Sequence, residues 1–260
     1  MTVRLKQLSV VFVAALLAAT ALGAFARAEV AQRGDVRVKF EGSLTPKSLP
    51  RSGSVPVRVS VGAKITALRQ ANPPKLKKIS IAINSAGKFN PASLPVCTIR
   101  DIQPSTTQNA LRACGSSLIG TGNFAAKVLL PQQTAFPADG KLYAFNGRYR
   151  GHPAILAHVY GTEPVPTSFT LPFAMTTRRG ELGTILTASL GGVTGKAGYI
   201  TELSLELGGF KGSGKTPYVS AGCPAPKGFG GAAFPFARAT LHFDGKTVGS
   251  TLTRNCKVRS

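Results

Sequence analysis

The segment that most resembles a chemical signature is residues 209–216, Gly-Phe-Lys-Gly-Ser-Gly-Lys-Thr, which matches the phosphate-loop pattern G-x-x-x-x-G-K-[ST]. In a nucleotide-binding loop, a helix begins at the lysine, so that its amino terminus points at the phosphates. Here Pro217 follows, and the next residues, Tyr218 to Ser220, have the composition of a strand. We therefore predict that residues 209–216 connect two strands and bind no nucleotide.

Acid–base chemistry near neutral pH has few candidates, because the chain contains three histidines, His152, His158 and His242. In the alternating segment 151–161, His152, His158 and Tyr160 share one face of a predicted strand. These three residues are the candidate pocket. The alternative is that His158 is a buried, hydrogen-bonded core residue.

Other catalytic arrangements find little support. The chain has no G-x-S-x-G elbow for a nucleophilic serine. Glu202 and Glu206 share one face of a predicted strand, where their side chains would lie about 13 Å apart, beyond the usual separation in glycosidases. We therefore name no catalytic residue and expect no cofactor. An extracellular carbohydrate-active hydrolase remains the alternative to a binding or structural protein.

The first 28 residues predict export. Arg4 and Lys6 precede an apolar run over residues 8–25, which ends in Ala-Arg-Ala at residues 26–28. This order is typical of a secretory signal peptide cleaved after Ala28. An uncleaved membrane anchor is the alternative, since the run is long enough to span a bilayer, although its many alanines favour cleavage. We expect the protein outside the cell or in the cell envelope.

The four cysteines predict two disulfides. Cys97, Cys114, Cys223 and Cys256 form an even set in an exported chain, where disulfides persist. Three pairings are possible, and sequence order favours Cys97 with Cys114 and Cys223 with Cys256. A zinc site is not expected, because the sequence has no C-x-x-C and no histidines at ligand spacing.

The charge balance is strongly basic. The chain has 32 Lys and Arg against 10 Asp and Glu, and without residues 1–28 it keeps 29 basic residues, a net charge of +19. The candidate basic surface consists of Lys75, Lys77 and Lys78 together with Arg148 and Arg150. For an exported protein, this charge favours anionic envelope polymers or polysaccharide as partners. Nucleic acid is not expected, because the basic residues are spread out, and membrane contact is expected only through an uncleaved signal. No pattern bears on the oligomeric state.

Period-two alternation of apolar residues dominates the rest of the chain. Val36, Val38 and Phe40 alternate with charged residues, and about a dozen such segments follow at short spacing. We predict an all-β fold, a single antiparallel β-sandwich that is jelly-roll-like, with about 10–12 strands and one short helix near residues 105–114. Residues 29–260 would form one domain, with a split near residue 132 as the alternative. Asp139-Gly140 and Asp244-Gly245 predict tight turns.

Four stretches carry a resemblance to known sequences. They are Ala-Phe-Asn-Gly at 144–147, Ala-His-Val-Tyr-Gly-Thr at 157–162, Cys-Pro-Ala-Pro-Lys-Gly-Phe at 223–229 and Phe-Pro-Phe-Ala-Arg-Ala at 234–239. With them, the chain resembles a group of uncharacterised secreted β-rich proteins of high-GC bacteria, which have a signal peptide, a β-rich body and a closing Cys-rich segment. The resemblance implies export and an all-β fold. It transfers no activity, ligand or catalytic residue.

Overall fold

The computed structural model describes residues 28–129, 132, 134–162, 166–191, 198–208 and 217–259. The predicted signal peptide lies outside the described residues except for Ala28, as do residues 209–216. The described chain is 62% strand and 8% helix, which confirms the all-β prediction.

The strands and helices follow one another along the chain with a single helical interruption. The strands are β1 Glu29–Arg33, β2 Val36–Thr45, β3 Ser48–Leu49, β4 Val55–Pro56, β5 Arg58–Ala67, β6 Leu76–Ile83, β7 Gly87–Phe89, β8 Leu118–Val128, β9 Phe136–Tyr149, β10 His152–Gly161, β11 Thr167–Thr177, β12 Thr184–Ser189, β13 Gly198–Leu207, β14 Val219–Ala221, β15 Gly231–Phe243 and β16 Lys246–Val258. Between β7 and β8 lie α1, Ile99–Ile102, and α2, Thr107–Cys114, which contains most of the predicted helix.

Thirteen strands form one sheet in the order β1-β2-β5-β13-β8-β9-β10-β11-β12-β6-β15-β16-β3, antiparallel except for the β16–β3 pair. Strands that precede residue 132 in the sequence and strands that follow it are interleaved in this sheet. The sheet curls, so that β1 and β16 meet along a seam that we call the clasp. There Arg254 and Lys246 of β16 form ion pairs with Glu29 and Asp35, each with a nitrogen–oxygen distance of 2.5 Å. The predicted sandwich of two separate layers is not confirmed, because these strands belong to one continuous sheet.

The concave face of the curled sheet carries the main core. In β2, Val36, Val38 and Phe40 are buried inside, while Arg37 and Lys39 are exposed outside. The same alternation recurs in the neighbouring strands, which is why a sequence of period two forms this sheet. Burying each such apolar side chain stabilises the fold by about 1.5–3 kcal/mol.

The two ends of the curled sheet differ. At one end, which we call the turn end, the described connections are β1–β2, β5–β6 and β15–β16. The last of these is a tight turn at Asp244-Gly245, as predicted, and Gly245 has a φ of +71°. At the other end, the cap end, β4, β14 and β7 form a three-stranded sheet, and the disulfide Cys223–Cys256 fastens the segment after β14 to β16. The cap end is therefore covered and covalently fixed.

A second, smaller core lies on the convex face. Side chains of α1 and α2 pack there against Phe145, Ala154 and Leu156 of β9 and β10. The disulfide Cys97–Cys114 holds this helical segment together. Its approach to β9 is fixed by Asn146, which is fully buried and whose Nδ2 lies 2.9–3.1 Å from the carbonyl oxygens of residues 91, 94 and 95.

Candidate functional site

The interior of the curled sheet is hollow at mid-height. Inward-facing side chains at the centres of the strands are only half-buried, among them Val61 and Ala63 of β5, Leu205 of β13, Ile81 of β6 and Ala239 of β15. In contrast, the inward-facing residues nearer the turn end are buried. These are Ile65, Leu76, Ile79, Ile200 and Leu241. Close-packed interiors leave few such gaps, so this pattern marks a cavity and not an ordinary core.

The cavity has a volume of about 80 Å³. Its wall is formed by Val, Leu, Ile, Phe and Ala side chains. Among the described residues, one charged residue borders it, Glu41, whose carboxylate pairs with Lys39 at 2.6 Å. A second space of about 30 Å³ lies below the small sheet and shares Val61, Ile83 and Phe89 with the first. Because a charge buried against such a wall would lose its hydration without a partner, the cavity suits a hydrocarbon group.

The sequence-predicted pocket residues do not line this cavity. His152 is exposed at the start of β10, and Tyr160 is half-buried near its end. His158 is fully buried, and it lies on the convex face of β10, opposite Tyr143 of β9 and Thr170 of β11 in the strand register. His158 is therefore buried beneath the helical segment, as the alternative expected, but the hydrogen bonds that the alternative also expected are not found in the described chain.

The environment of His158 is apolar enough to affect its titration. Neither ring nitrogen has a hydrogen-bond partner of good geometry among the described residues. Burial lowers the pKa of His158, and the nearby backbone carbonyl of Ile102 opposes this fall in part. No carboxylate contact to the ring is found in the described chain, so the imidazole is not arranged as a general base oriented by an acid.

We expect the free energy of unfolding to depend on pH through His158. The pKa is lower in the folded state than in the unfolded state, where it is about 6.5, so the unfolded state binds the proton more readily. The stability is therefore complete above pH 6.5 and falls as the pH drops below that value. Urea unfolding of the wild type and of His158→Gln between pH 8 and 5 measures this. The variant should lose this part of the decline, and an identical decline in both proteins would contradict the assignment.

Two carboxylates border a shallow depression of about 330 Å³ on the convex face. Asp139 of β9 and Glu202 of β13 lie on either side of β8, with Ala125 between them in register, so about 9.6 Å separates their backbones. Glu202 lies 3.9 Å from Lys64, and Lys141 donates to the side chain of Asn123 at the same depression. Glu206, the other carboxylate considered from the sequence, pairs with Arg58 at 3.2 Å.

Both predicted disulfides are confirmed, Cys97–Cys114 and Cys223–Cys256, and the described chain has no free cysteine. Two disulfides indicate an oxidising setting. Cys97, Cys114 and Asp101 lie close enough to suggest a metal site, with ligand atoms within 4.8 Å of one another. The two sulfurs are bonded to each other, however, and cannot act as thiolate ligands. The carboxylate of Asp101 accepts hydrogen bonds from Thr98, which lower its pKa.

The candidate basic surface is divided between the two ends of the sheet. Lys75, Lys77 and Lys78 lie at the turn end, where Lys75 lies over the ring of Tyr199 and Lys77 pairs with Asp244. Arg148 and Arg150 lie at the β9–β10 hairpin, and Arg150 lies over the ring of Tyr149. The structure does not bring the two clusters together.

No protein-family model, curated protein or solved structure matches this chain. Within the described residues, the helices are too short to cross a membrane.

Proposed function

We propose that this protein is an exported binding protein without catalytic activity, whose ligand is an apolar molecule held inside the curled sheet. The hollow, apolar interior is the observation that carries the proposal. An apolar ligand in this space would contact the half-buried side chains that now lack neighbours, and cavities lined by Leu, Ile and Phe bind small apolar molecules. The signal peptide predicted at residues 1–28 and the two disulfides support export.

The choice of residues at mid-height supports a site over a defect. Ala63, Ala237 and Ala239 face inward where longer aliphatic side chains elsewhere fill the core. A void in a core costs about 24 cal/mol per Å³, so a leucine that filled it from one of these positions would stabilise the protein. Retaining small residues there keeps the space open.

Filling the cavity should separate binding from stability. We expect Ala239→Leu to weaken binding of xenon, a small apolar probe, at least tenfold, while the free energy of unfolding stays level or rises, because the added carbon atoms occupy the void. The matched control is Ala125→Leu, the same change at a half-buried alanine on the convex face of β8. Binding is measured by a xenon NMR titration and stability by urea unfolding.

Three outcomes decide this test. Saturable binding that Ala239→Leu abolishes and Ala125→Leu leaves intact supports the proposal. Absence of saturable binding to the wild-type protein would overturn it. Equal loss in both variants would place the probe elsewhere on the surface.

The exterior supports a second contact, with anionic envelope polymers or polysaccharide. Among the nine acidic residues that the structure describes, six are held in ion pairs with Lys or Arg, so the surface that remains is predominantly basic. Retention on such polymers should fall steeply as salt is raised, because it depends on charge. The resemblance to secreted proteins of high-GC bacteria agrees with this location and remains a prediction.

A carbohydrate-active hydrolase is the second candidate, and the pair of carboxylates at the shallow depression is the observation that favours it. The backbones of Asp139 and Glu202 are about 9.6 Å apart, and the carboxyl groups of inverting glycosidases lie about 6.5–9.5 Å apart. Any glycosidase activity of the wild-type protein should vanish in Asp139→Asn and Glu202→Gln. Activity that survives both substitutions would exclude this site.

A further inference from the structure

The cap end carries the most exposed large apolar side chain of the described residues. Phe229 is 64% exposed, more than any of the other three exposed large apolar side chains. It belongs to residues 224–230, Pro-Ala-Pro-Lys-Gly-Phe-Gly, which we call the cap loop. Residues 226–230 are all exposed, and a Cβ atom built on Gly228 or Gly230 would have no non-adjacent neighbour within 4 Å. The cap loop therefore projects into solvent and carries an aromatic ring.

The fold holds the backbone of the cap loop in place. The amide of Phe229 donates to the carbonyl oxygen of Pro226 at 3.2 Å, which closes a turn, and Gly228 inside this turn has a φ of +87°. The guanidinium of Arg51 donates to the carbonyl oxygens of Ala225 at 2.9 Å and Phe229 at 2.7 Å. The disulfide at the start of the loop fastens it to β16. These contacts fix a conformation that leaves the ring in water.

Basic side chains lie beside the cap loop. Lys257 faces Gly231 in the β15–β16 register, and its amide donates to the carbonyl oxygen of Lys47 at 2.9 Å. Residues 47–54, 222–231 and 255–259 contain no Asp or Glu. Five basic side chains in these segments are exposed, and in the described chain none of them is paired with a carboxylate. They are Lys47, Arg51, Lys227, Lys257 and Arg259, and together with Phe229 we call them the cap-loop surface.

The composition of the cap loop indicates the class of partner. A sugar is recognised by polar groups that both donate and accept hydrogen bonds, and the cap loop has no side chain that accepts one. A protein interface buries about 800 Å² on each partner around a cluster of apolar anchors, whereas here lysine and glycine flank a single aromatic ring. An apolar ring beside basic residues instead suits the boundary between lipid chains and anionic head groups.

We propose that the cap-loop surface binds an anionic membrane surface, with the Phe229 ring among the lipid chains next to the head groups and the basic side chains among the head-group phosphates. The contact is peripheral and needs no spanning helix. It uses a different surface from the cavity and a different partner from the envelope polymers, so it goes beyond the proposed function.

Tryptophan fluorescence tests where the ring lies, because the chain contains no tryptophan. Phe229→Trp places one fluorophore in the cap loop, and Leu68→Trp places one at an exposed apolar position at the turn end. The probe is a vesicle of equal parts phosphatidylglycerol and phosphatidylcholine. We expect the emission of Phe229→Trp to shift to shorter wavelength when vesicles are added, because the ring leaves water, and that of Leu68→Trp to stay unchanged. No shift in Phe229→Trp would overturn the proposal.

Affinity for the same vesicles, measured by sedimentation, tests the ring and the charges separately. Phe229→Ser should weaken binding at least about tenfold, because the apolar ring is lost. Lys227→Glu should weaken it at least about fivefold, because each basic residue near an anionic surface contributes about that factor. The controls are Leu68→Ser and Lys78→Glu, which make the same changes at the turn end and should leave affinity unchanged. All proteins are compared as exported from the cell, so that any contribution of residues 1–28 is common to them.

Two further arms identify the partner. Vesicles of phosphatidylcholine alone should bind at least about tenfold more weakly, and equal affinity would overturn the choice of an anionic surface. Dextran sulfate offers charge without lipid chains, so Phe229→Ser should bind it as the wild type does. Equal loss of dextran sulfate and vesicle binding in Phe229→Ser would assign the cap-loop surface to a polysaccharide and overturn the membrane proposal. A Lys78→Glu protein as weak as Lys227→Glu would overturn the placement at the cap end.

Discussion

Replacing Cys223 and Cys256 with serine should lower the free energy of unfolding by about 4 kcal/mol. The bridge closes a loop with a sequence separation of 33 residues, and the unfolded chain gains conformational freedom when this loop is opened. The folded state also loses the tie between β16 and the segment after β14, which covers the cap end. Urea unfolding of the double variant against the wild type measures the loss.

The second bridge provides the control. Replacing Cys97 and Cys114, which are 17 residues apart, should cost about 3 kcal/mol by the same reasoning. Reducing agent should destabilise each double variant further, because each retains the other bridge, and it should leave the fourfold serine variant unchanged. A Cys223→Ser, Cys256→Ser protein as stable as the wild type would show that the bridge does not constrain the unfolded chain.

Replacing Asn146 with aspartate should cost at least about 3 kcal/mol at neutral pH. The Nδ2 group of Asn146 donates to the carbonyl oxygens of Pro91, Leu94 and Pro95, at 2.9, 3.1 and 3.0 Å. A carboxylate has no proton to donate, and at this fully buried position its charge would face three oxygens. The segment that leads into the helices would lose these three hydrogen bonds and keep the backbone hydrogen bond from Cys97 to the Asn146 carbonyl.

The loss should shrink in acid. Burial and the facing carbonyls raise the pKa of the introduced carboxyl group above its unfolded value of about 3.9, so the folded state binds the proton more tightly. The deficit is therefore full above the folded pKa and declines as the pH falls through it. The control is Asn123→Asp on the convex face, where Lys141 lies 2.9 Å from the side-chain oxygen and would pair with the new charge. Equal destabilisation in both variants would contradict the role assigned to Asn146.

Local sequence signals predicted the strands, because the alternation of apolar residues depends on neighbouring positions. The order of the four cysteines predicted the disulfide pairs. Asp244-Gly245 predicted a tight turn correctly, but Asp139-Gly140 lies inside β9, so that prediction was wrong. Such a pair indicates only that the backbone tolerates unusual angles. At Gly140 the small residue has another reason, because a Cβ atom there would lie 3.1 Å from the carbonyl oxygen of Tyr160.

The cavity could not be predicted from the sequence. Alternation places Val61 and Ala63 on the inner face of β5 and Ile81 on the inner face of β6. Whether these side chains touch depends on how strands far apart in the sheet order approach across the curl. That distance follows from the curvature of the whole sheet, which no local pattern contains. His158 had two interpretations for the same reason, because the helical segment that covers it is distant in sequence.

The clasp between β1 and β16 affects the width of the curled sheet. The circumference is completed there by the ion pairs Glu29–Arg254 and Asp35–Lys246, while the ladder order ends at β1. Hydrogen bonds of the ladder fix the spacing between paired strands near 4.8 Å. The distance that a pair of side chains spans depends instead on their rotamers. The width of the curled sheet at the clasp is therefore set by side-chain pairs, because no ladder hydrogen bonds join β1 to β16 in the described chain.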